Sequence, residues 1–517
     1  MRLSKYILFG AIAVSAPAFT ACVGDLDVEP ENPTTQTEIK SKEDLFNELG
    51  GVYGGLVFEG GITVDDGGAG VYTRQLWNIQ ELCTDESLIG TNWDDAGVHE
   101  LVYSTWSTDN HWLYECFSRF NYQISIANQF LRDLHKHAGM LDDETGSLSA
   151  KTLEAEARTI RALSYYHMID VFGKSPWTTE NSPIAVTPPT YDRKQLFEAV
   201  VADLKEVVDD LVPAAQQIYG RVSREAGYML LAKLYLNAEV YTGEGKWQEC
   251  ANACNEIRKT IDNLAPTYKY LFCATNDKYA GNGELLWVVP QEQGRMEAWG
   301  GTTYLTCGAW FASAGEEILK KLNYKDAWGG LRLRPELSKA LDRADKRRLI
   351  FEGTFQEEIP TLGGNDATSC GYMLIKYSNS PETDYENTAG NNNNNVAMSN
   401  ADYPLFRLAD TYLMLAECQM HGVECDGLRY LNLVRERAGM PARTSIDADE
   451  LLRERMCELY CEGHRRSDLI RFGKYTGSNY MWSWKGGDYA GAALPAYRAL
   501  FPIPTQYTET VGQNPGY

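Results

Sequence analysis

The chain has 517 residues, 44% hydrophobic and 23% charged, which fills one large or two ordinary domains with ample core. Its formal charge of −23 repels phosphate backbones and excludes nucleic acid as a partner class. Twelve cysteines in a chain this long fall far short of the density of a disulfide-stapled scaffold.

In chain order, Arg2 and Lys5 precede the apolar run Tyr6 to Val14, which is too short to span a bilayer and has the form of a signal peptide over 1–21. Two cleavage readings compete. Ala16-Pro17-Ala18 fits an ordinary signal peptidase, whereas Phe19-Thr20-Ala21-Cys22 fits a lipobox with Phe in place of the usual Leu. The second reading makes Cys22 an acylated first residue. Residues 22–42 then form a polar, Pro-bearing tether that holds a body over 43–517 away from the membrane.

Helical stripes dominate that body. Leu153, Ala157, Ile160, Ser164, Met168 and Val171 recur at steps of three and four, as do Leu230, Leu231, Leu234, Ala238 and Tyr241, and Phe406, Ala409, Leu413, Ala416 and Met420. Ala162/Tyr165, Ala232/Tyr235 and Ala409/Tyr412 share the spelling Ala-x-x-Tyr, in which a small residue admits a partner helix and the ring fills its groove. This resembles tetratricopeptide helical hairpins. Strand-like text is short, with "ELLWVVP" at 284–290 the best case. The expected class is therefore mainly α: tetratricopeptide-like helix pairs as scaffold, with long loop-rich insertions and minor short strands. An N-terminal part covers about 43–240 and a C-terminal part about 285–517. Arg161 is expected to anchor the turn Gly173 to Pro176. Pro502, Pro504 and Pro515 predict a non-helical strap at the end of the chain. The two pairs Cys250/Cys254 and Cys457/Cys461, with His464 on the second face, fit buried thiols on helices better than a metal cluster.

The insertions carry the binding chemistry, because function concentrates on loops held by a rigid frame. Trp93, flanked by Asn92, Asp94 and Asp95, sits in turn-forming text where a core tryptophan would be awkward. A ring beside amide and carboxylate groups suits a sugar: the ring face takes the C–H patch and the polar tips take the hydroxyls. Arg74 offers a forked pair of donors to vicinal hydroxyls. Trp299, Tyr304 and Trp310 are spaced irregularly among glycines, unlike a helical stripe, and form a second arc that would converge with the first. Trp77 and Trp106 lie in more regular segments and read as core. Asn276, Asp277 and Glu284 offer oxygens for calcium, without EF-hand spacing. The sequence holds no G-x-S-x-G, H-E-x-x-H or phosphate-cradling motif and calls for no cofactor beyond that structural calcium. Two carboxylates among its 71 acidic residues would suffice for glycoside hydrolysis, and it is the family resemblance given next that makes the expectation a binder, not an enzyme.

"AEARTIRALSYYHMIDVFGKSPW", "SREAGYMLLAKLYLNAEVY", "FRLADTYLMLAECQMHG", "LNLVRERAGMP", "ELLRERMCELYCEGHRRSDLIRFGKY" and "FPIPTQYTETVGQNPGY" together resemble the SusD/RagB family of surface lipoproteins. The resemblance implies four tetratricopeptide-like helix pairs and a lipid anchor at Cys22. It implies an outer-membrane position facing the exterior, and a role as lid on a SusC-like TonB-dependent transporter. Asp25, Asp27 and Glu29 resemble the family's surface-export signal, and Trp93-Asp94-Asp95-Ala96-Gly97 resembles the W-x-D-x-G context of its glycan sites. Calcium binding in some members is what extends to the 273–287 segment. Glycan capture is the expected function. Peptide capture on the same scaffold would show instead as a deep cavity with backbone-directed polar groups, and a protein adaptor as an uncovered concave helical face.

Overall fold

Short polar caps start the helices. Ser41 and Asp44 close a reciprocal capping box ahead of Lys42–Val57. Asn110, Ser149, Asp192, Ser223 and Asp447 accept backbone N–H bonds at the starts of His111–His137, Ala150–Val171, Arg193–Val207, Arg224–Leu236 and Ala448–Leu459. The computed structural model describes residues 38–59, 68–93, 95–315, 322–323, 326–363, 370–382 and 398–517. Cys22, the leader and most of the tether lie outside the described residues, as do Asp94 and the asparagine tract.

The architecture is mainly α. His111–His137 packs on Ala150–Val171, which packs in turn on Arg193–Val207; Arg224–Leu236 pairs with Trp247–Arg258, and Leu408–Met420 with Gly427–Arg437. Ala162, Ala232 and Ala409 are buried where partner helices approach. Their tyrosines close the pairs: the Tyr165 hydroxyl donates to the Thr178 carbonyl at 3.0 Å, Tyr412 donates to the Asp262 carbonyl at 2.8 Å, and Tyr235 meets Phe197 edge-on.

Three local expectations are corrected. Arg161 does not hold the 173–176 turn; its guanidinium donates to Asn128 at 2.7 Å and Glu180 at 2.6 Å, and bridges Asp203 at 3.0 Å, and Tyr165 ties down the following segment instead. The tail does cross the body, with Phe501 N–H on the Val171 carbonyl and the Asn514 amide on that of Phe172. It nevertheless contains a helix, Thr505–Val511, because Pro504 occupies the cap, where a missing N–H costs nothing. The 457–471 stretch is not one helix: the Ala448–Leu459 helix ends before Cys461, which takes φ 58°, and a new helix runs Arg465–Arg471.

Among the described residues, four short antiparallel ladders stitch distant segments together. Leu285–Val289 pairs with Tyr403–Arg407 inside the body. Ser87–Ile89 pairs with Leu331–Leu333, Ile89 lying opposite Leu331. Antiparallel pairing brings the chain leaving Ile89 and the chain entering Leu331 to the same end, and the Gly90 N–H bond to the Gly330 carbonyl at 3.2 Å extends the contact. Residues just outside this ladder on both strands therefore meet.

Charge is unusually prominent in the core. Glu458, fully buried, accepts from Arg407 at 2.9 Å, Arg347 at 3.3 Å and Arg437. Glu462 accepts from Arg407 and Lys376, each at 2.6 Å. Elsewhere Glu81 and Glu86 are buried side by side, Glu81 accepting from the Gly463 N–H at 2.6 Å and Glu86 from the Cys461 N–H at 2.8 Å. Burial pushes the Glu86 carboxyl up to about 7, and burial together with the Glu86 charge raises Glu81 further. Arg465, the nearest cation, is engaged bidentately by Asp85 at 2.7 Å.

A carboxyl whose folded pKa lies above its unfolded value near 4.5 stabilises fully below that value and ceases to as pH rises through its folded value. Between about pH 5 and about pH 8 the Glu86 carboxyl is expected to withdraw up to about 3 kcal/mol of stability. Urea melts of Glu86→Gln should show a smaller fall over that range than the parent chain. Equal falls in both would remove the pair as the source.

Candidate functional site

Trp93 lies four residues past Ile89 and Trp328 three before Leu331, so the short ladder delivers both rings to one place. Their centroids are 6.0 Å apart with planes at 84°. Trp299 in turn adjoins Trp328, 5.8 Å away and tilted 49°. Trp299 is 36% exposed, and Trp93 and Trp328 are half-buried, so the three rings form a string reaching the surface.

The string is held by backbone that tolerates no bulk. A Cβ on Gly330 would stand 1.5 Å from the Trp93 ring, and a Cβ on Gly300 would stand 2.1 Å from the Gly68 carbonyl oxygen. The Trp328 N–H bonds to the Cys307 carbonyl at 2.7 Å, and the Trp299 N–H bonds to the Glu59 carboxylate at 2.7 Å. Asn92 sits on the exposed rim, donating to the Gly329 carbonyl at 2.7 Å and accepting from Arg332 at 2.6 Å. An amide so fixed keeps a second hydrogen and a second lone pair available.

The remaining predicted contacts lie beneath this surface. Tyr304 is fully buried, edge-on to Trp93 at 5.7 Å, with its hydroxyl donating to Asn78 at 2.8 Å. Trp310 is also fully buried, its indole N–H on the Leu374 carbonyl at 3.0 Å. Arg74, 3% exposed, donates to Asp95 at 2.7 Å while its guanidinium lies over the Tyr304, Trp112 and Trp93 rings at 4.4, 5.0 and 5.6 Å. Tyr304 and Arg74 lie against Trp93 and form a floor that stiffens it; as direct ligand contacts all three residues are corrected by their burial. Asp94 lies outside the described residues.

The calcium expectation is corrected as well. Both ends of the Asn276 amide are bonded within the fold: its oxygen accepts from the Asp402 N–H at 3.1 Å, and its nitrogen donates to the Leu271 and Asp402 carbonyls. Glu284 is fully buried and neutralised by Arg407 at 2.7 Å and Arg437 at 2.5 Å, with Asp277 left exposed without them. Among the described residues, no group of three or more His, Cys, Asp or Glu is arranged to hold a metal ion.

Sequence reasoning missed Trp328 and Arg332. The available signal was "DAWGGLRLR": a tryptophan against two glycines, entering alternating arginines. Away from the string, an apolar cavity of about 490 Å³ lies between the Lys42–Val57 helix and the Leu285–Val289 strand and contains none of the predicted contacts.

A family model described as SusD family matches residues 351–517, and one described as starch-binding, associating with outer membrane, matches 26–236. The chain is 29% identical to the starch-binding protein SusD of Bacteroides thetaiotaomicron, over 99% of this chain and 100% of that one. It is 26% identical to SusD-like protein P25 of Formosa agariphila, over 70% of this chain and 73% of the relative. Its fold matches surface glycan-binding protein A from Bacteroides thetaiotaomicron, solved with laminarihexaose, at a TM-score of 0.67 and 20% identity over 92% and 100% of the two chains. On the two models and the full-length match, the chain belongs to the SusD/RagB family, proteins that bind rather than catalyse.

Proposed function

We propose that this protein captures a starch-type glucan on Trp93, Trp328 and Trp299, with Asn92 and its neighbours meeting the hydroxyls. On this reading it is anchored at the outer membrane through lipid on Cys22, faces the exterior and delivers the glucan to a SusC-like TonB-dependent transporter. The observation that carries the reading is the turn between successive rings, 84° and then 49°. A flat, ribbon-like glycan presents coplanar faces and stacks on such a string at one ring only. A glucan that curves as it runs can follow all three. The full-length likeness to a relative named for starch binding supports the same class. Stacking on rings held by a buried floor needs little reorganisation, and affinities on the order of µM to mM are expected.

Affinity electrophoresis of the purified chain over a panel of plant and host polysaccharides tests the reading. Soluble starch is expected to retard it, and Trp93→Ala is expected to remove most of the retardation. Retardation by no polysaccharide would turn the reading toward a peptide ligand, and retardation untouched by the substitution would acquit Trp93.

A further inference from the structure

We infer that the glucan site continues onto a second aromatic platform, Tyr103, Trp484 and Tyr489, which makes the protein selective for long α-linked glucans over short ones. The inference rests on the glucan reading above. Trp484 lies 5.8 Å from Tyr103 at 52° and 5.8 Å from Tyr489 at 61°, and all three rings are partly exposed. The spacing and the turning of the planes repeat those of the first string.

Trp484 is held in a backbone conformation that residues with a side chain rarely adopt. Its φ of 67° is left-handed, which disfavours any residue with a Cβ by about 1–2 kcal/mol. The loop enforces it: the buried Lys485 amine donates to the Tyr480 carbonyl at 2.7 Å and the Gly477 carbonyl at 3.3 Å, and lies 4.2 Å over the Trp482 ring. The Ala492 N–H closes the loop on the Lys485 carbonyl at 2.7 Å. Two residues earlier, Trp482 supplies the loop's core ring at 1% exposure. Trp482 thus fills the loop's core, and the Trp484 ring is left partly exposed between Tyr103 and Tyr489.

The two platforms share supports on both flanks. His99, whose ring is 6.4 Å from that of Tyr103, bonds through Nε2 to the Gly90 carbonyl at 3.2 Å, the same carbonyl that accepts the Trp93 N–H at 3.1 Å. On the other flank the Trp484 indole donates to the Ile359 carbonyl at 2.8 Å, and the Thr91 N–H donates to the Leu362 carbonyl at 2.6 Å. A glucan long enough to leave the first string along this side meets the second.

Calorimetric titration of the chain with malto-oligosaccharides, from maltotriose to long linear maltodextrin, reads this out. Trp484→Gly removes the ring and relieves the left-handed strain, which offsets the lost indole bond to the Ile359 carbonyl, so the melting temperature is expected to stay within a few degrees of the parent. The variant should bind maltotriose within about twofold of the parent and lose about tenfold on long maltodextrin. Tyr489→Ala, at an unstrained position, should give the same length-dependent loss. Parent and both variants binding alike at every length, with Trp93→Ala still impaired, would overturn the second platform and leave the first standing. No binding of any maltodextrin by the parent would overturn both.

Discussion

Glu458→Ala is expected to destabilise the fold by about 3–5 kcal/mol, the range for removing one partner of a buried charge network. Burial alone would raise this carboxyl, but Arg437, Arg407 and Arg347 outweigh it and hold it at about 2. Deleting it leaves three guanidinium groups, all nearly inaccessible to water, with part of their compensation gone: Arg407 keeps Glu284 and Glu462, Arg347 keeps Asp345 and Glu454, and Arg437 keeps only Glu284. Arg437 is the group left most exposed to the loss. Because the Glu458 pKa is depressed, its contribution is fully present above the unfolded value near 4.5 and is lost as pH falls toward about 2. Chemical denaturation at neutral pH gives the difference directly, and a midpoint unchanged from the parent would show that water or rearrangement replaces the carboxylate. This network and the Glu81–Glu86 pair run in opposite pH directions, so acid removes the Glu458 contribution while leaving that of the pair in place.

Combining Trp93→Ala with Trp328→Ala is expected to weaken binding of soluble starch by roughly a hundredfold while leaving the thermal midpoint within a few degrees. Each stacked ring contributes on the order of 1–1.5 kcal/mol beyond its buried area, and losing both also removes the continuity that lets a curved chain follow the string. The fold is spared because the buried residues keep their own bonds without them: Tyr304 to Asn78, Trp310 to the Leu374 carbonyl and Arg74 to Asp95. Native gels cast with and without starch, read beside a melting curve, separate loss of the site from loss of the protein. A double variant retarded like the parent would move the site elsewhere.

The contrast between these two regions explains how much the sequence discloses. The helix pairs were legible because stripes such as Leu153 to Val171 and the Ala-x-x-Tyr spelling are local and periodic, and burial follows period. Trp93 and Trp299 were legible as surface rings because turn residues surround them. Tyr304 and Trp310 sit in similar glycine-bearing text yet are buried: Tyr304 lies on the short helix Thr302–Cys307, covered on every side, and Trp310 lies just past it with its indole N–H on the Leu374 carbonyl. Irregular spacing marks an insertion and does not say which of its faces is outside. Arg74 was misread for a related reason: Tyr72–Glu81 is buried all round, so its arginine serves the interior.

Trp328 could not be placed without the Ser87–Ile89 to Leu331–Leu333 pairing, a contact across more than two hundred residues of chain. Glu284 opens the predicted strand at 284–290 and looked like a free oxygen donor. Only the long-range arrival of Arg407 and Arg437 shows that its charge is already answered. What sequence alone withholds, in both cases, is the partner that distant chain brings.

A crystal structure of the chain soaked with a long malto-oligosaccharide tests the central claim most directly. The account predicts consecutive glucose rings lying on Trp93, Trp328 and Trp299 and bending from one plane to the next, with Tyr304 and Trp310 untouched below. Sugar found only in the apolar cavity beside Lys42–Val57, or a straight chain resting on a single indole, would contradict it.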